Sequence, residues 1–498
     1  MMHFEGIHRT ASSAPVWTLD ARVESWLDIA GSCLEHGGRL VSIWGSASGF
    51  VHAAYVFPEG MLVARCAVSG EKIPDLSKMF SCASRMQRAV SDMLGFGFDQ
   101  ADDRPWISHG LWPRHPLKKD FDPEGQCMSF EGDYPFVAVE GEGVHEIAVG
   151  PVHAGIIEPG HFRFQVVGEK VLRLEERLGF KHKGIEKAFE GLSFIEGARL
   201  AARISGDSTV AYSWAYAMAV ESVCDVKVSE RASFLRGLLL ERERIANHLA
   251  DLGALGNDAG FSFGLAQFSI LREDMLRVNR DLFGHRLLMD LVVPGGVLKD
   301  IDSAAKDRIA EECAILRKKV EDLREIYVDH TGLQDRFIST GKVAPELAAK
   351  LGLTGLAGRA SRNASDLREE HPYPPYDKLE FAMATHHGGD VAARVSVRFD
   401  EVFESLRLIE QMVAKMPEGE TVIEVPPCSG SGFGWVEGFR GEVLIALEIE
   451  QGLISRAHAH DPSWQNWPVL EFAVIGNIVP DFPLINKSFN LSYSGHDL

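Results

Sequence analysis

The sequence predicts an α+β protein, in which a small N-terminal α/β domain (residues 1–125) precedes a large, mainly helical domain (residues 126–498) with a small β element. Three observations support this prediction. The first hundred residues alternate helical periodicity with β-branched and aromatic runs. A stretch rich in proline and tryptophan then interrupts regular structure. Beyond about residue 185, apolar residues recur at spacings of three and four over long segments.

The N-terminal elements are predicted one by one from these patterns. Residues 23–30 space their apolar positions as a helix does, and the helix runs to a turn at Gly37-Gly38. Three β-rich runs follow, and then a helix. The predicted strands are residues 39–44, 51–57 and 60–68, and the helix is residues 79–94.

Residues 103–117 contain too much proline and tryptophan to form a regular element. Arg104, Trp106 and Trp112 are compatible with a binding site. The favoured alternative is an extended tail that wraps onto a neighbouring subunit, with the aromatic side chains as packing anchors.

The larger domain is predicted to be a bundle of long helices with strands at one end. Strand-like runs come first, and a helix opens near residue 184. The strand-like runs are residues 140–153, 158–164 and 171–177, and the long helices are residues 233–252, 268–283, 303–327 and 391–416.

Composition excludes several function classes. The formal net charge of −20 argues against nucleic-acid partners and against anionic lipid surfaces. The N-terminus has no signal-peptide core, and no apolar run approaches the ~18 residues that span a bilayer. None of the seven cysteines forms a Cys-x-x-Cys pair, so we expect small buried hydrophobes rather than metal ligands or disulfides.

Two segments almost three hundred residues apart each look like half of one site. The first is Arg203-Ile-Ser205-Gly206-Asp207-Ser208, and the second is Ser492-Tyr-Ser-Gly495-His496. Between and around them lie further motifs in a fixed order. These are Gly150-Pro-Val-His153, His182-Lys-Gly-Ile-Glu186-Lys187, Glu243-Arg-Ile-Ala-Asn-His248, Pro294-Gly-Gly-Val297 and Val436-Glu-Gly-Phe-Arg-Gly-Glu442.

Through these motifs the larger domain resembles the large hydrogenase-like subunit of respiratory complex I. It equally resembles the large subunit of membrane-bound nickel–iron hydrogenases. Residues 1–125 resemble the 30-kilodalton-type subunit of complex I, which formate hydrogenlyase-type hydrogenases carry fused ahead of the large subunit. The resemblance covers nearly the whole chain.

The resemblance also predicts where a metal centre would be. The hydrogenase pattern has four cysteine thiolates, and in an ungapped comparison their positions fall on Ser205, Ser208, Ser492 and Gly495. Serine hydroxyls are hard donors of high pKa and glycine donates nothing, whereas a nickel–iron pair needs soft thiolates. We therefore expect no metal bound by this chain and no hydrogenase activity. The chain ends close to where hydrogenase precursors are trimmed after metal insertion.

In complex I the same pocket holds a quinone headgroup between a tyrosine and a histidine. Those positions fall here on Gly206 and Ile157, so neither partner is present. Asp207, Tyr212 and His153 are the predicted catalytic residues, and His161 is a further candidate for the same cavity. The alternative for each histidine is a purely structural role, and for Asp207 it is a helix N-cap.

Charged side chains form a predicted chain through the bundle. Its members are Glu186, Arg203, His248, Asp390 and Arg394, together with Glu243 and Arg244. The alternative is that each makes a structural ion pair between helices.

The resemblance implies a subunit of a membrane-associated oxidoreductase complex that couples electron transfer to ion pumping. Electrons would come from a [4Fe-4S] cluster in a small partner subunit, docked near residues 182–186 and Arg203. They would pass to a quinone or another small acceptor. Membrane ion-pumping subunits would hold the chain at the inner face of the cell membrane. No dinucleotide fingerprint is present, so an NADH link would run through another subunit. A non-catalytic scaffold or coupling role is the alternative.

Overall fold

The computed structural model describes residues 4–68, 70, 72–127, 134–153 and 157–498. It confirms the α+β class, with a sheet-containing N-terminal part followed by a larger, mostly helical part. The predicted boundary near residue 125 lies next to residues 128–133, which are outside the described residues.

A five-stranded sheet forms the N-terminal part, in the order β1-β2-β5-β4-β3. β2 and β5 are parallel, and the other neighbours are antiparallel. Helix α2 packs on β3 and begins four residues later than predicted. The elements are β1 (His8–Arg9), β2 (Val16–Ala21), α1 (Trp26–Glu35), β3 (Arg39–Ser46), β4 (Phe50–Phe57), β5 (Gly60–Ala67), β6 (Ile73–Pro74), α2 (Ala83–Leu94) and β7 (Phe98–Asp99).

The Pro/Trp segment after β7 is irregular, as predicted, but the neighbouring-subunit interpretation is wrong. Trp106 is 1% exposed and packs against the guanidinium groups of Arg85 and Arg88 and the ring of His496. Trp112 stacks on His182 with 5.0 Å between ring centroids. The segment therefore joins the two parts of the same chain, because its aromatic side chains pack against residues of both.

The larger part begins with an antiparallel sheet in the order β10-β9-β8. Its core contains a long central helix, α6, packed between α7 and α13. Elements in this half are β8 (Val144–Val149), β9 (His161–Val167), β10 (Lys170–Arg177), α3 (Ile185–Ala188), α4 (Phe194–Ala201), α5 (Thr209–Cys224), α6 (Glu230–Asp258), α7 (Ser262–Phe283), β11 (Val292–Val293), β12 (Gly296–Val297) and α8 (Ser303–Asp329).

A second antiparallel sheet, in the order β13-β14-β15, packs against α5 and was not predicted. Its strands are buried on both faces and therefore lack the alternation that marks a half-exposed strand. The remaining elements are α9 (Thr331–Phe337), α10 (Pro345–Leu351), α11 (Gly355–Ala360), α12 (Leu367–Glu370), α13 (Val391–Lys415), β13 (Gly430–Glu437), β14 (Glu442–Glu450), β15 (Leu453–His460), α14 (Ser463–Ala473), α15 (Phe482–Phe489) and α16 (Tyr493–Asp497).

The expectation for the cysteines is wrong for three of the seven. Cys224, at the end of α5, and Cys428, just before β13, form a disulfide across 204 residues of chain. Cys127 is exposed, whereas Cys33, Cys66, Cys82 and Cys313 are buried as expected. The sequence could not pair two cysteines so far apart, because only the packing of α5 on the β13–β15 sheet brings them together.

Among the described residues, none of the helices combines the length and the apolar character that crossing a bilayer requires.

Candidate functional site

The first half of the site is a short turn before α5. Residues Gly206–Ser208 form one 3₁₀ turn, and α5 continues directly from it. The carboxyl group of Glu243 on α6 accepts hydrogen bonds from the backbone N–H groups of Val210 (2.6 Å) and Ala211 (3.2 Å). These bonds satisfy two of the N–H groups that every helix start leaves unpaired. Glu243 therefore fixes where the turn ends and the helix begins.

The second half is the start of α16. Ser492 is the N-cap of this helix, and its Oγ accepts the backbone N–H of Gly495 at 2.8 Å. The Ser492 N–H donates to Ser463 Oγ at 2.8 Å, and its carbonyl accepts from the Trp467 indole at 3.2 Å. The C-terminal segment is thereby anchored on α14.

The structure brings the two halves together. Ser205 Oγ lies 3.1 Å from Ser492 Oγ and donates to Asp207 Oδ1 at 2.6 Å. Both serines are buried, at 4% exposure each. The predicted pairing of two segments 287 residues apart is thus present as a direct side-chain contact.

Arg440, between β13 and β14, connects the site to the second sheet. Its guanidinium makes an ion pair with Asp207 and donates to Ser208 Oγ at 3.2 Å. It also donates to the carbonyl of Asn490, just before α16. Sequence reasoning missed this residue, although Arg440 stands in a motif that carried the family resemblance.

The N-cap interpretation of Asp207 is wrong. Ser208 occupies the N-cap position of α5, and the Asp207 carboxylate is used by Arg440 and Ser205. Asp207 is held from the other side by Asn247, whose amide donates to the Asp207 carbonyl at 2.7 Å.

The position of Gly495 is filled by other side chains. Tyr212 Oη donates to Asp461 Oδ2 at 2.8 Å. A Cβ atom added to Gly495 would lie 2.5 Å from Asp461 Oδ2 and 2.7 Å from Tyr212 Oη. Even a methyl group does not fit there without displacing this pair.

The residues present do not fit a nickel–iron pair. The Ser205 and Ser492 hydroxyls bond each other, Ser208 accepts from Arg440, and no side-chain space remains at Gly495. Thiolates are absent from all four positions, and hydroxyls are poor donors to these metals. Within the described ranges, no group of three or more His, Cys, Asp and Glu side chains is placed to hold a metal ion.

Two carboxyl groups of the site have opposite protonation preferences. Burial by itself raises the pKa of Asp207, but the guanidinium of Arg440 outweighs this effect and lowers that pKa to about 2. Burial raises the pKa of Glu243 to about 8, and the N–H groups of Val210 and Ala211 oppose this shift only in part. At neutral pH Asp207 is therefore ionised, whereas most Glu243 side chains carry a proton.

Burial, reinforced by the carboxylate of Asp461, raises the pKa of Tyr212 well above its usual value. Tyr212 is therefore a neutral phenol that donates its hydrogen bond to Asp461.

A cavity of about 100 Å³ adjoins the turn. Gly206 and Asp207 line one side, and α6 and α7 provide the walls. A Cβ atom added to Gly206 would meet no atom within 4 Å, so the turn faces open space here. The other lining residues are Glu243, Ala246, Asn247, Arg272, Leu276, Asn279, Arg286, Leu287 and Leu288.

The structure does not place the histidines in this cavity. His153 Nε2 contacts the carbonyl of Gly160 at 2.7 Å, and His161 Nδ1 contacts that of Gly150 at 3.3 Å. Both rings lie at the β8–β9 connection, and residues 154–156 of this loop are outside the described residues. Ile157, at the headgroup-histidine position, is 41% exposed.

Most members of the predicted charged chain have separate partners. Glu186 binds Arg456 and His458, and Arg203 pairs at the surface with Asp290. Asp390 is the N-cap of α13, and Glu243 caps α5. Arg394 donates to Ser488 and to the carbonyls of Gly389 and Gly341. The prediction of one connected chain from these residues is wrong.

A connected network does exist, and it is centred on a residue without a predicted role, Arg359. Its guanidinium binds Glu401 at 2.7 Å, Glu437 at 3.0 Å and Asp366 at 3.3 Å. All four side chains are almost completely buried. His248 joins through Glu401 at 2.8 Å, and burial lowers its pKa. Arg244, Glu241 and Arg368 complete the network. Of the predicted members, only Arg244 and His248 belong to it.

Comparisons with known proteins agree with this architecture. Residues 25–127 match the family model of the respiratory-chain NADH dehydrogenase 30 Kd subunit, and residues 258–429 match that of the 49 Kd subunit. Formate hydrogenlyase subunit 5 of Escherichia coli is 30% identical, over 85% of this chain and 76% of its own length. The C/D-type NADH-quinone oxidoreductase subunit of Bacteroides thetaiotaomicron is also 30% identical, over 76% of each chain.

Among solved structures, a chain of the membrane-bound sulfane sulfur reductase, an archaeal respiratory membrane complex, is similar with a TM-score of 0.67. The match has 26% identity and covers 72% of this chain and 99% of that one. The fold, the order of the motifs and the extent of these matches lead to one conclusion. The chain belongs to the oxidoreductase family of complex I 49 Kd-type and hydrogenase large subunits, in the form fused to a 30 Kd-type domain.

Proposed function

We propose that this chain is a subunit of a membrane-associated, complex I-like oxidoreductase that works without a nickel–iron centre. It takes part in passing electrons from a partner subunit's iron–sulfur cluster to a small acceptor, a quinone or another small molecule. The observation that supports this proposal best is the contact between Ser205 and Ser492, with the Asp207–Arg440 pair beside it. The four ligand positions thus form a polar, hydrogen-bonded site next to an open cavity.

The relatives provide the context. Their names describe hydrogenases, a formate hydrogenlyase and an NADH-quinone oxidoreductase, and the structural neighbour is described as a respiratory membrane complex. From this context we infer that the chain docks an iron–sulfur small subunit near residues 182–186 and Arg203. We further infer that it lies at the inner face of the membrane, on ion-pumping subunits.

Protons must accompany electrons in this reaction, since the reduction of a quinone to a quinol consumes two of each. Glu243 is suited to supply a proton, because burial keeps its pKa at about 8 and its side chain lines the cavity. Asp207 is suited to a different role, because its carboxylate stays ionised beside Arg440. We assign it the role of fixing Arg440 and the Ser205 hydroxyl toward the acceptor.

Metal analysis of the intact purified complex, normalised to this chain, tests the absence of the metal centre. We expect no stoichiometric nickel and no hydrogen-dependent dye reduction, with iron accounted for by partner clusters. One nickel per chain would overturn this part of the proposal.

Turnover of the assembled complex with a short-chain quinone tests the role of the site against that of a scaffold. We expect Asp207→Asn to lower turnover at least about tenfold. That factor corresponds to a loss of about 1.4 kcal/mol of transition-state stabilisation. Asp281→Asn, which removes an exposed carboxylate on α7, is the matched control. Co-purification of the other subunits verifies assembly. If both variants assemble and turn over like the unmodified complex, the chain is a scaffold.

A further inference from the structure

The cavity beside the 206–208 turn has a chemical character that the electron-transfer proposal does not explain. We infer that it binds a small anion, a carboxylate or an inorganic oxyanion, between the guanidinium groups of Arg272 and Arg286. Both side chains line the cavity, together with Gly206 and Asp207. The inference does not depend on the proposed function, because binding needs no electron transfer and no partner subunit.

Arg272 is the first reason. It lies on α7 and is half-buried, and its Nε atom is buried without a hydrogen-bond partner. Its side chain makes no hydrogen bond or ion pair within the described part of the chain. A guanidinium has five N–H donors, and leaving the buried Nε–H of Arg272 unmet has a cost. An anion in the cavity would accept these donors.

Arg286 provides a second positive group at the same cavity. Its only ion pair among the described residues is with Glu273 on α7, at 2.5 Å, and its side chain is exposed. Burial and the nearby positive charge of Arg286 together lower the pKa of Arg272. Two guanidinium groups that repel each other are stabilised when an anion lies between them.

The acidic residues of the cavity make no direct bond to either arginine. Asp207 makes an ion pair with Arg440, and Glu243 is bound to the backbone N–H groups of Val210 and Ala211. Neither carboxyl group bonds to Arg272 or Arg286. The negative charges of Glu273, Asp251 and Asp207 act on Arg272 without a direct bond, so its guanidinium donors remain available for direct binding of an anion.

The cavity is large enough to admit a small ion. Its volume of about 100 Å³ exceeds the ~10–15 Å³ of probe-occupied space that one water molecule needs. Carboxylates and oxyanions also accept two parallel N–H bonds from one guanidinium, which a halide cannot do.

Calorimetric titration of the full-length chain tests the inference. Sodium acetate and sodium sulfate are the two probes, and sodium chloride keeps the ionic strength constant. We expect at least one probe to bind and Arg272→Gln to weaken that binding about tenfold or more, since that side chain has no other partner to satisfy its donors. Arg286→Gln should weaken it less, because Arg286 already has a carboxylate partner.

Arg280→Gln is the matched control, since Arg280 lies on the same helix and its side chain is 67% exposed. This variant should bind the probe like the unmodified chain. Circular dichroism and thermal melting of each variant show whether it is folded. Arg272→Lys keeps the charge and should retain part of the affinity.

Binding of acetate alone would identify a carboxylate site, and binding of sulfate alone an inorganic oxyanion site. The inference is overturned if neither probe binds, or if folded Arg272→Gln binds as tightly as the unmodified chain.

Discussion

Two polar regions of the larger domain differ in whether they adjoin an open cavity. One is a closed network around Arg359, and the other is the site around Ser205. Around Arg359, three carboxylates surround one guanidinium, and every partner is almost completely buried. Around Ser205, the charged pair Asp207–Arg440 adjoins a cavity, and the Asp207 side chain is 39% exposed. The first region is closed, and its guanidinium finds its charged partners within the chain. The second leaves donors and space for something else, which is typical of a site rather than of a scaffold element.

The largest effect should come from breaking the closed region. Arg359→Met would leave Glu401, Glu437 and Asp366 buried without their shared counter-ion. We expect a loss of about 3–5 kcal/mol in the free energy of unfolding, as for other buried pairs from which one partner is removed. Urea denaturation of the full-length chain measures it. Arg280→Met, at the surface of α7, should change stability by less than about 0.5 kcal/mol. A loss below about 1 kcal/mol for Arg359→Met would mean that the network relaxes or hydrates.

The second effect is a pH-dependent gain in the free energy of unfolding when Glu243, beside the cavity, is replaced. The folded pKa of Glu243, about 8, is above its unfolded value near 4.5, so deprotonation disfavours the folded chain. The resulting penalty is absent below about pH 4.5, grows by about 1.4 kcal/mol per pH unit and levels off above pH 8. Glu243→Gln removes this pH-dependent penalty, because the amide does not titrate. Its single oxygen can accept from only one of the Val210 and Ala211 N–H groups, and the loss of the other bond is a cost that does not vary with pH.

We therefore expect the stability of the Glu243→Gln chain, relative to the unmodified chain, to rise between about pH 5 and pH 8 by about 2–4 kcal/mol in all. Denaturation at several pH values measures the difference. Glu311→Gln, an exposed position on α8, is the control and should give a flat difference. A flat difference for Glu243→Gln would show that this carboxyl group is already ionised at about pH 5.

The third effect tests how tightly the space at Gly495, one of the four positions aligned with thiolate ligands, is filled. Gly495→Ala should cost about 1–3 kcal/mol, because the new methyl group meets Asp461 and Tyr212 at 2.5 and 2.7 Å. The double variant Gly495→Ala/Tyr212→Phe removes one of these contacts and should cost less than the sum of the two single changes. Thermal melting of the four chains gives the coupling energy. Strict additivity would mean that Tyr212 does not occupy the space at Gly495.

The smallest effect concerns the partly exposed ion pair between Asp207 and Arg440. The folded pKa of Asp207, about 2, is below its unfolded value near 3.8, so its contribution is complete above about pH 4 and is lost as pH falls toward 2. Because the side chain is 39% exposed, we expect Asp207→Asn to cost only about 1 kcal/mol at about pH 7 and less at about pH 3. Denaturation at these two pH values measures it. An equal cost at both would indicate loss of the Ser205 hydrogen bond rather than of the charge.

Sequence patterns predicted those elements whose signal is local. The periodicity of residues 233–252 and 303–327 located α6 and α8, and β-branched runs located β3, β4 and β5. The β13–β15 sheet was missed because its strands are buried on both faces, so that no alternation marks them. The same limit applies to the charged residues: spacing along α6 found Arg244 and His248 but could not find Arg359 or Glu401, which come from other helices.

By itself, the sequence determined the class of the fold, the family and the absence of thiolates at all four ligand positions, because these depend on residue identity and order. Only the tertiary structure decided what replaces the thiolates. It brought Ser205 against Ser492, placed Arg440 on Asp207 and filled the space at Gly495 with Tyr212 and Asp461. It also left Arg272 without a partner, among the described residues, beside an open cavity. Contacts between segments this far apart depend on how the helices pack, and packing leaves no local pattern in the chain.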